Sequence, residues 1–84
     1  MITVAQDPLK EWFRTNLRWW RRTRQLTQVQ LAERLEIAAP GISQLESGDW
    51  VPGLDVVARV AEALGVKSAQ LLCAPVEEKS PAGA

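Results

Sequence analysis

Apolar residues near the start of the chain return at helical intervals. Leu9, Phe13, Leu17 and Trp20 are spaced by four, four and three positions, which places them on one stripe of an amphipathic helix. Asp7-Pro8, just ahead of the stripe, offers a capping carboxylate and a residue suited to the first helical position, so a first helix is expected from there to about Arg24. The spacing assigns Phe13 and Trp20 to the core, and leaves Trp12 and Trp19, beside the stripe, as candidates for a contact surface. Thr27-Gln28-Val29-Gln30 has the form of a capping box, in which a hydroxyl and an amide three residues on satisfy free backbone N–H groups reciprocally. A short second helix should start there, with Val29, Leu31, Ala32 and Leu35 as its apolar face and a turn at Glu36-Ile37.

Pro40 suits the first position of a third helix that carries Ile42 and Leu45 inward and Ser43, Gln44 and Ser47 outward, and that ends near Gly48. Gly48 to Gly53 reads as a loop. Leu54, Val57, Val60, Ala61 and Leu64 then keep a three-and-four rhythm up to a left-handed stop at Gly65, and Ser68 is placed to cap a last short helix containing Leu71 and Leu72. The expectation is an all-α domain of five helices over residues 1–74, with a tail over residues 75–84 that has no periodicity and is expected to be disordered.

Length and composition narrow the function. An 84-residue chain has room for one modest core, and 46% hydrophobic with 24% charged residues favours neither disorder nor a membrane span. The start MITVAQDPLK lacks the basic segment and apolar run of a secretory signal, and no run of about 18 apolar residues exists, so no membrane association and a cytoplasmic location are expected. A lone Cys73 and the absence of histidine leave no disulfide and no ligand set for structural zinc; no metal and no cofactor are expected. Nor can a nucleophile and base pair be assembled, so an enzyme is not expected.

Zero net charge argues at first against nucleic acid, but the charges are unevenly spread. Up to Arg34 the basic residues Lys10, Arg14, Arg18, Arg21, Arg22, Arg24 and Arg34 face only Asp7, Glu11 and Glu33, and beyond it acidic residues dominate. A basic half suits phosphate contact, although a charge run is also what a solvated helix face looks like.

From Leu17 to Leu72 the chain resembles the lambda-repressor-like helix-turn-helix family of phage repressors and Cro proteins. The residues that carry the resemblance are Leu17-Arg18, Arg21, Leu26-Thr27-Gln28, Leu31-Ala32, Ile37, Ile42-Ser43-Gln44-Leu45-Glu46, Gly48, Pro52, Leu54 and Ala61-Glu62-Ala63-Leu64-Gly65-Val66. The resemblance implies a helix-turn-helix core at about 28–47 that binds double-stranded DNA as a transcriptional repressor. Thr27 and Gln28 would grip phosphate at a helix N-terminus, and residues from Ala39 to Gln44, with Ser47, would face the major groove. A glutamine such as Gln44 can bond the N6 and N7 edge of adenine in two places. Arg21 and Glu46 resemble the family's internal ion pair, and Arg18, Arg22 and Arg24 are possible phosphate contacts.

Three departures from the family pattern stand out. Glu36 occupies the position of a turn glycine, and Ala38, Ala39, Pro40 and Gly41 replace polar residues, so side-chain readout there is reduced to a thymine methyl at Ala39 and close groove approach at Gly41. The loop after the third helix has Asp49 and no Lys or Arg, which shifts phosphate contact to backbone N–H groups, the Trp50 N–H or the first helix. A short recognition helix reads few base pairs, so a homodimer on a palindromic operator is expected, through Val66, Leu71, Leu72 and Cys73, joined by Trp12, Ile2 and Val4; Leu71 and Leu72 could equally close the core. The alternative is a protein-interaction module, antitoxin-like, whose main ligand is another protein.

Overall fold

The computed structural model describes residues 8–75, and in it the chain forms five helices and no strand. They are α1 (Leu9–Thr23), α2 (Gln28–Leu35), α3 (Ala39–Ser47), α4 (Leu54–Leu64) and α5 (Ser68–Leu72). Asp7, Ile2, Val4 and the tail beyond Pro75 lie outside the described residues. Each helix contributes side chains to one core: Phe13 and Leu17 from α1, Leu31 and Leu35 from α2, Ile42 and Leu45 from α3, Val57, Val60 and Leu64 from α4, and Leu71 from α5. Truncating any of the fully buried leucines to alanine removes about 2–5 kcal/mol, a large part of what so small a domain has.

Three helices stop by the same device. At the ends of α1, α2 and α4 a left-handed residue reverses the chain, and the next N–H returns to a carbonyl five residues back: Leu26 to Arg21 at 3.0 Å, Ile37 to Ala32 at 3.0 Å and Val66 to Ala61 at 2.9 Å. Gly65 serves at α4, as its position in the sequence implies. At the other two ends the residue is Gln25 (φ 60°) and Glu36 (φ 61°), where a side chain costs on the order of 1 kcal/mol. The turn between α2 and α3 therefore keeps the left-handed form without a glycine.

Several positions depart from expectation. Leu9, Val29 and Leu54 keep the helical rhythm yet are exposed, each standing in the first turn of its helix at the rim of the core. Pro40 takes the second helical position, not the first, and Lys67, not Ser68, precedes α5. There the Lys67 N–H donates to Gln70 Oε1 at 2.8 Å, so a glutamine amide satisfies the end without a hydroxyl cap. Leu71 is fully buried and Leu72 and Val66 pack against the core, which leaves Cys73 as the exposed member of the group expected at a dimer surface. Trp12 is half-buried and Trp19 stands edge-on to Trp20, their ring centroids 4.9 Å apart.

Candidate nucleic-acid interface

The local sequence sets up α2 and α3 as an ordered pair. Thr27 Oγ1 accepts from the Gln30 N–H at 3.0 Å and Gln30 Oε1 accepts from the Thr27 N–H at 2.8 Å, so the capping box is complete. On α3, Ile42 and Leu45 point into the core while Ser43, Gln44 and Ser47 are exposed. The Ser43 and Ser47 hydroxyls donate to Pro40 O and Gln44 O, bonds within their own helix. The Gln44 carbonyl also accepts from the Gly48 N–H at 3.0 Å and the Trp50 N–H at 3.1 Å, which ties down the loop after α3, whereas its side-chain amide has no partner among the described residues.

Behind that exposed face lies a buried carboxylate. Glu46 is 5% exposed. Arg21 Nε donates to its Oε2 at 2.6 Å and Arg21 Nη2 to its Oε1 at 3.1 Å, a two-pronged pair. Gln28 Nε2 donates to the same Oε1 at 3.0 Å, and Arg18 Nη2 donates to the Glu46 carbonyl at 3.0 Å while its Nε lies 3.8 Å from Oε1. Burial raises the pKa of the carboxyl, but the hydrogen bonds from Arg21 and Gln28 and the charges of Arg21 and Arg18 outweigh it and hold the group below the usual carboxylate range. One carboxylate thus binds α1, the start of α2 and the end of α3 together. Gln28 is consequently turned toward Glu46 through its amide nitrogen, an arrangement its sequence position alone does not reveal.

The other expected contacts are distributed unevenly. Gly41 faces inward: a Cβ built on it would lie 3.0 Å from Ile37 Cδ1 and 3.3 Å from Trp50 Cζ3, so its missing side chain makes room for those two residues. Ala39 is half-buried against the core, and Pro40 is exposed. Among the basic residues, Arg24 Nε donates to Leu64 O at 2.8 Å with its guanidinium 5.0 Å from the Trp20 ring centroid. Arg34 Nη1 donates to Ala63 O at 3.1 Å and Arg59 Nη2 to Leu35 O at 2.5 Å. These three arginines satisfy the free carbonyls at the C-termini of α4 and α2, where a cation is also favoured by the helix dipole. Arg22 is exposed and has no partner among the described residues; with Arg18, Trp19, Thr15 and Thr23 it lines a shallow depression on α1.

Asn16 has no counterpart in the sequence reading. It is buried, and its Nδ2 donates to Leu71 O at 3.0 Å and Cys73 O at 2.8 Å, closing the end of α5 onto α1. Its position was the available clue: Asn16 shares a helical face with Phe13, Leu17 and Trp20, and a polar residue on a buried face needs a partner.

The family of helix-turn-helix domains matches residues 12–72, which span all of α2 to α5 and most of α1. The chain belongs to the helix-turn-helix domain family. Among solved structures, this helix-turn-helix domain is similar to the hypothetical transcription factor NHTF from Neisseria, with 30% identity, a TM-score of 0.78, and 84% of this chain and 82% of that one covered. It is also similar to the clp gene regulator ClgR from Corynebacterium glutamicum, with 31% identity, a TM-score of 0.72, and coverage of 76% and 82%. No curated protein matches the sequence. Among the described residues no helix is long and apolar enough to cross a membrane, and no group of His, Cys, Asp or Glu is arranged to hold a metal ion.

Proposed function

We propose that this helix-turn-helix domain is a sequence-specific DNA-binding transcriptional regulator of the lambda-repressor-like type, a repressor that occupies a palindromic operator as a homodimer. The observation that carries the reading is the division of α3. Ile42, Leu45 and Glu46 lock one face to the core, and Ser43, Gln44 and Ser47 stand exposed on the other. A helix held so firmly from behind can enter a major groove without losing its orientation, and the Gln44 amide, with no partner among the described residues, is suited to an adenine edge. Thr27 and Gln28 open α2, whose free N–H groups suit a phosphate. Gln28 reaches a phosphate through the atoms that its bond to Glu46 leaves available. Of the three arginines considered for phosphate, Arg22 is the freest; Arg18 is tied to Glu46 and Arg24 to Leu64.

Footprinting on the DNA upstream of the chain's own coding sequence, repeated over a salt series, tests the proposal. Two protected half-sites about 10 base pairs apart, with affinity falling as salt rises, are expected. No protection at micromolar protein on that DNA or on selected random sequences would overturn it and favour a protein ligand.

A further inference from the structure

An apolar groove with a basic edge lies apart from the proposed reading face of α3. It is a cavity of about 210 Å³ between the first turns of α1, the loop after α3 and the start of α4, lined by the buried side chains of Phe13, Leu45 and Val57 and by Trp50. The two charged residues in its lining are Lys10 and Arg14, and no acidic side chain lines it. They stand four residues apart on α1, so they share one face of the helix and repel each other. Among the described residues neither is in an ion pair. Arg14 is half-buried and lies against the end of α3. A Cβ built on Gly48 would be 3.1 Å from Arg14 Nη1 and 3.3 Å from its Cδ, so the missing side chain at Gly48 makes room for the guanidinium beside the groove.

We infer that the groove binds a small organic anion, a monocarboxylate with an apolar body, whose carboxylate lies against Arg14 and Lys10. Charge complementarity selects this occupant. An apolar cavity holds an apolar body of any charge, but two uncompensated cations in its lining favour an anion and disfavour an amine. Arg14 presents a planar fork that matches the two oxygens of a carboxylate, and Lys10 adds a second positive charge. Size limits the body to one aromatic ring or a chain of about six carbons, since a cavity of about 150 Å³ accommodates benzene. Phenylacetate and hexanoate belong to that class. The site also touches the proposed reading helix from behind. Leu45 and Gly48 line it, and the Trp50 N–H donates to the Gln44 carbonyl at 3.1 Å, so a ligand against Trp50 bears on the end of α3. A change in operator affinity on binding follows, and that part alone rests on the proposed function.

NMR titration of the full chain without DNA tests the site, with phenylacetate and hexanoate as probes and phenylacetamide and phenethylamine as neutral and cationic controls. Saturable shifts of the Trp50 indole N–H and of the Phe13 and Val57 amides are expected, with a dissociation constant of about 1 mM or lower for at least one of the anions. Phenylacetate should bind about tenfold tighter than its amide, and the amine more weakly than either. Arg14→Gln should bring acid and amide within about twofold of each other, and Lys10→Gln, at an exposed position, should narrow the same gap in a chain whose fold is undisturbed. No saturable shift with either anion would overturn the inference, as would equal binding of acid and amide, or shifts centred away from the groove. Saturating anion should then change operator affinity about fivefold or more. An unchanged affinity would overturn the coupling to α3. A chain that binds the anion and no DNA would count against the proposed function and leave the anion site standing.

Discussion

Glu46 and Gln44 stand two residues apart on α3 in opposite surroundings. The carboxylate of Glu46 is buried and held by Arg21 and Gln28, with Arg18 nearby; the amide of Gln44 is exposed and has no partner among the described residues. The difference divides positioning from reading. Side chains that satisfy one another inside the protein fix where the helix sits, and they are not free to exchange partners, because a buried charge left alone is costly. Side chains bonded only to water can trade that water for a base edge at little cost, and so carry specificity. The same contrast separates Gln28 from Gln44, which share a side chain and differ in whether another element of the protein has already engaged it.

The largest expected effect breaks the inner face. Glu46→Ala strands Arg21 and removes the acceptor of Gln28, and should lower unfolding stability by about 3 kcal/mol, while replacing Arg21 and Glu46 together by apolar residues should cost less than either single change. Urea unfolding of the four members of the cycle measures this; single variants as stable as the parent would mean that the pair contributes nothing. The same carboxyl also sets an acid limit. Its pKa in the folded state lies below the ordinary carboxylate value, so its contribution is complete above that ordinary value and is lost as pH falls through the folded one. Glu46→Gln should therefore flatten the acid limb of a plot of stability against pH, and an unchanged limb would assign acid sensitivity to other groups.

Removing the outer amide comes next. Gln44→Ala should leave unfolding unchanged within about 0.5 kcal/mol, as expected at an exposed site, yet lose about 1–3 kcal/mol of operator binding and relax preference at one base pair of each half-site. Selection from a randomised half-site decides it: retention of the parent's preference at every position would move readout to Ser43, to apolar contact near Ala39, or to DNA shape.

Gln28→Ala sharpens the comparison from the other side. It removes a hydrogen bond to a buried carboxylate, so it should lower stability by about 1 kcal/mol and weaken operator and unrelated DNA by similar factors. A variant that loses only operator binding would place Gln28 with the readers. The smallest effect lies in the turn: Glu36→Gly relieves a left-handed residue and should raise stability by about 1 kcal/mol or less, with DNA preference unaltered. A fall in thermal midpoint would mean that the Glu36 side chain does more than tolerate its conformation.

What the sequence determined by itself is local. Helical spacing, the Thr27–Gln30 box and the stops at Gly48 and Gly65 act within a turn or two, so all five helices and the inward and outward faces of α3 could be read directly. The pairing of Arg21 with Glu46 was legible only through the resemblance. Tertiary structure decided which polar groups meet. Asn16 finds its carbonyls 55 and 57 residues away and Arg24 finds its own 40 residues away, separations over which no periodicity carries information. It also decided that Gln28 turns inward, that Gly41 accommodates Ile37 and Trp50, and that Leu54 stands exposed beside a cavity although its rhythm matches that of the buried Val57. Spacing says which face of its helix a residue occupies. Whether another element covers that face, or supplies the donor that a side chain needs, depends on how the five helices pack.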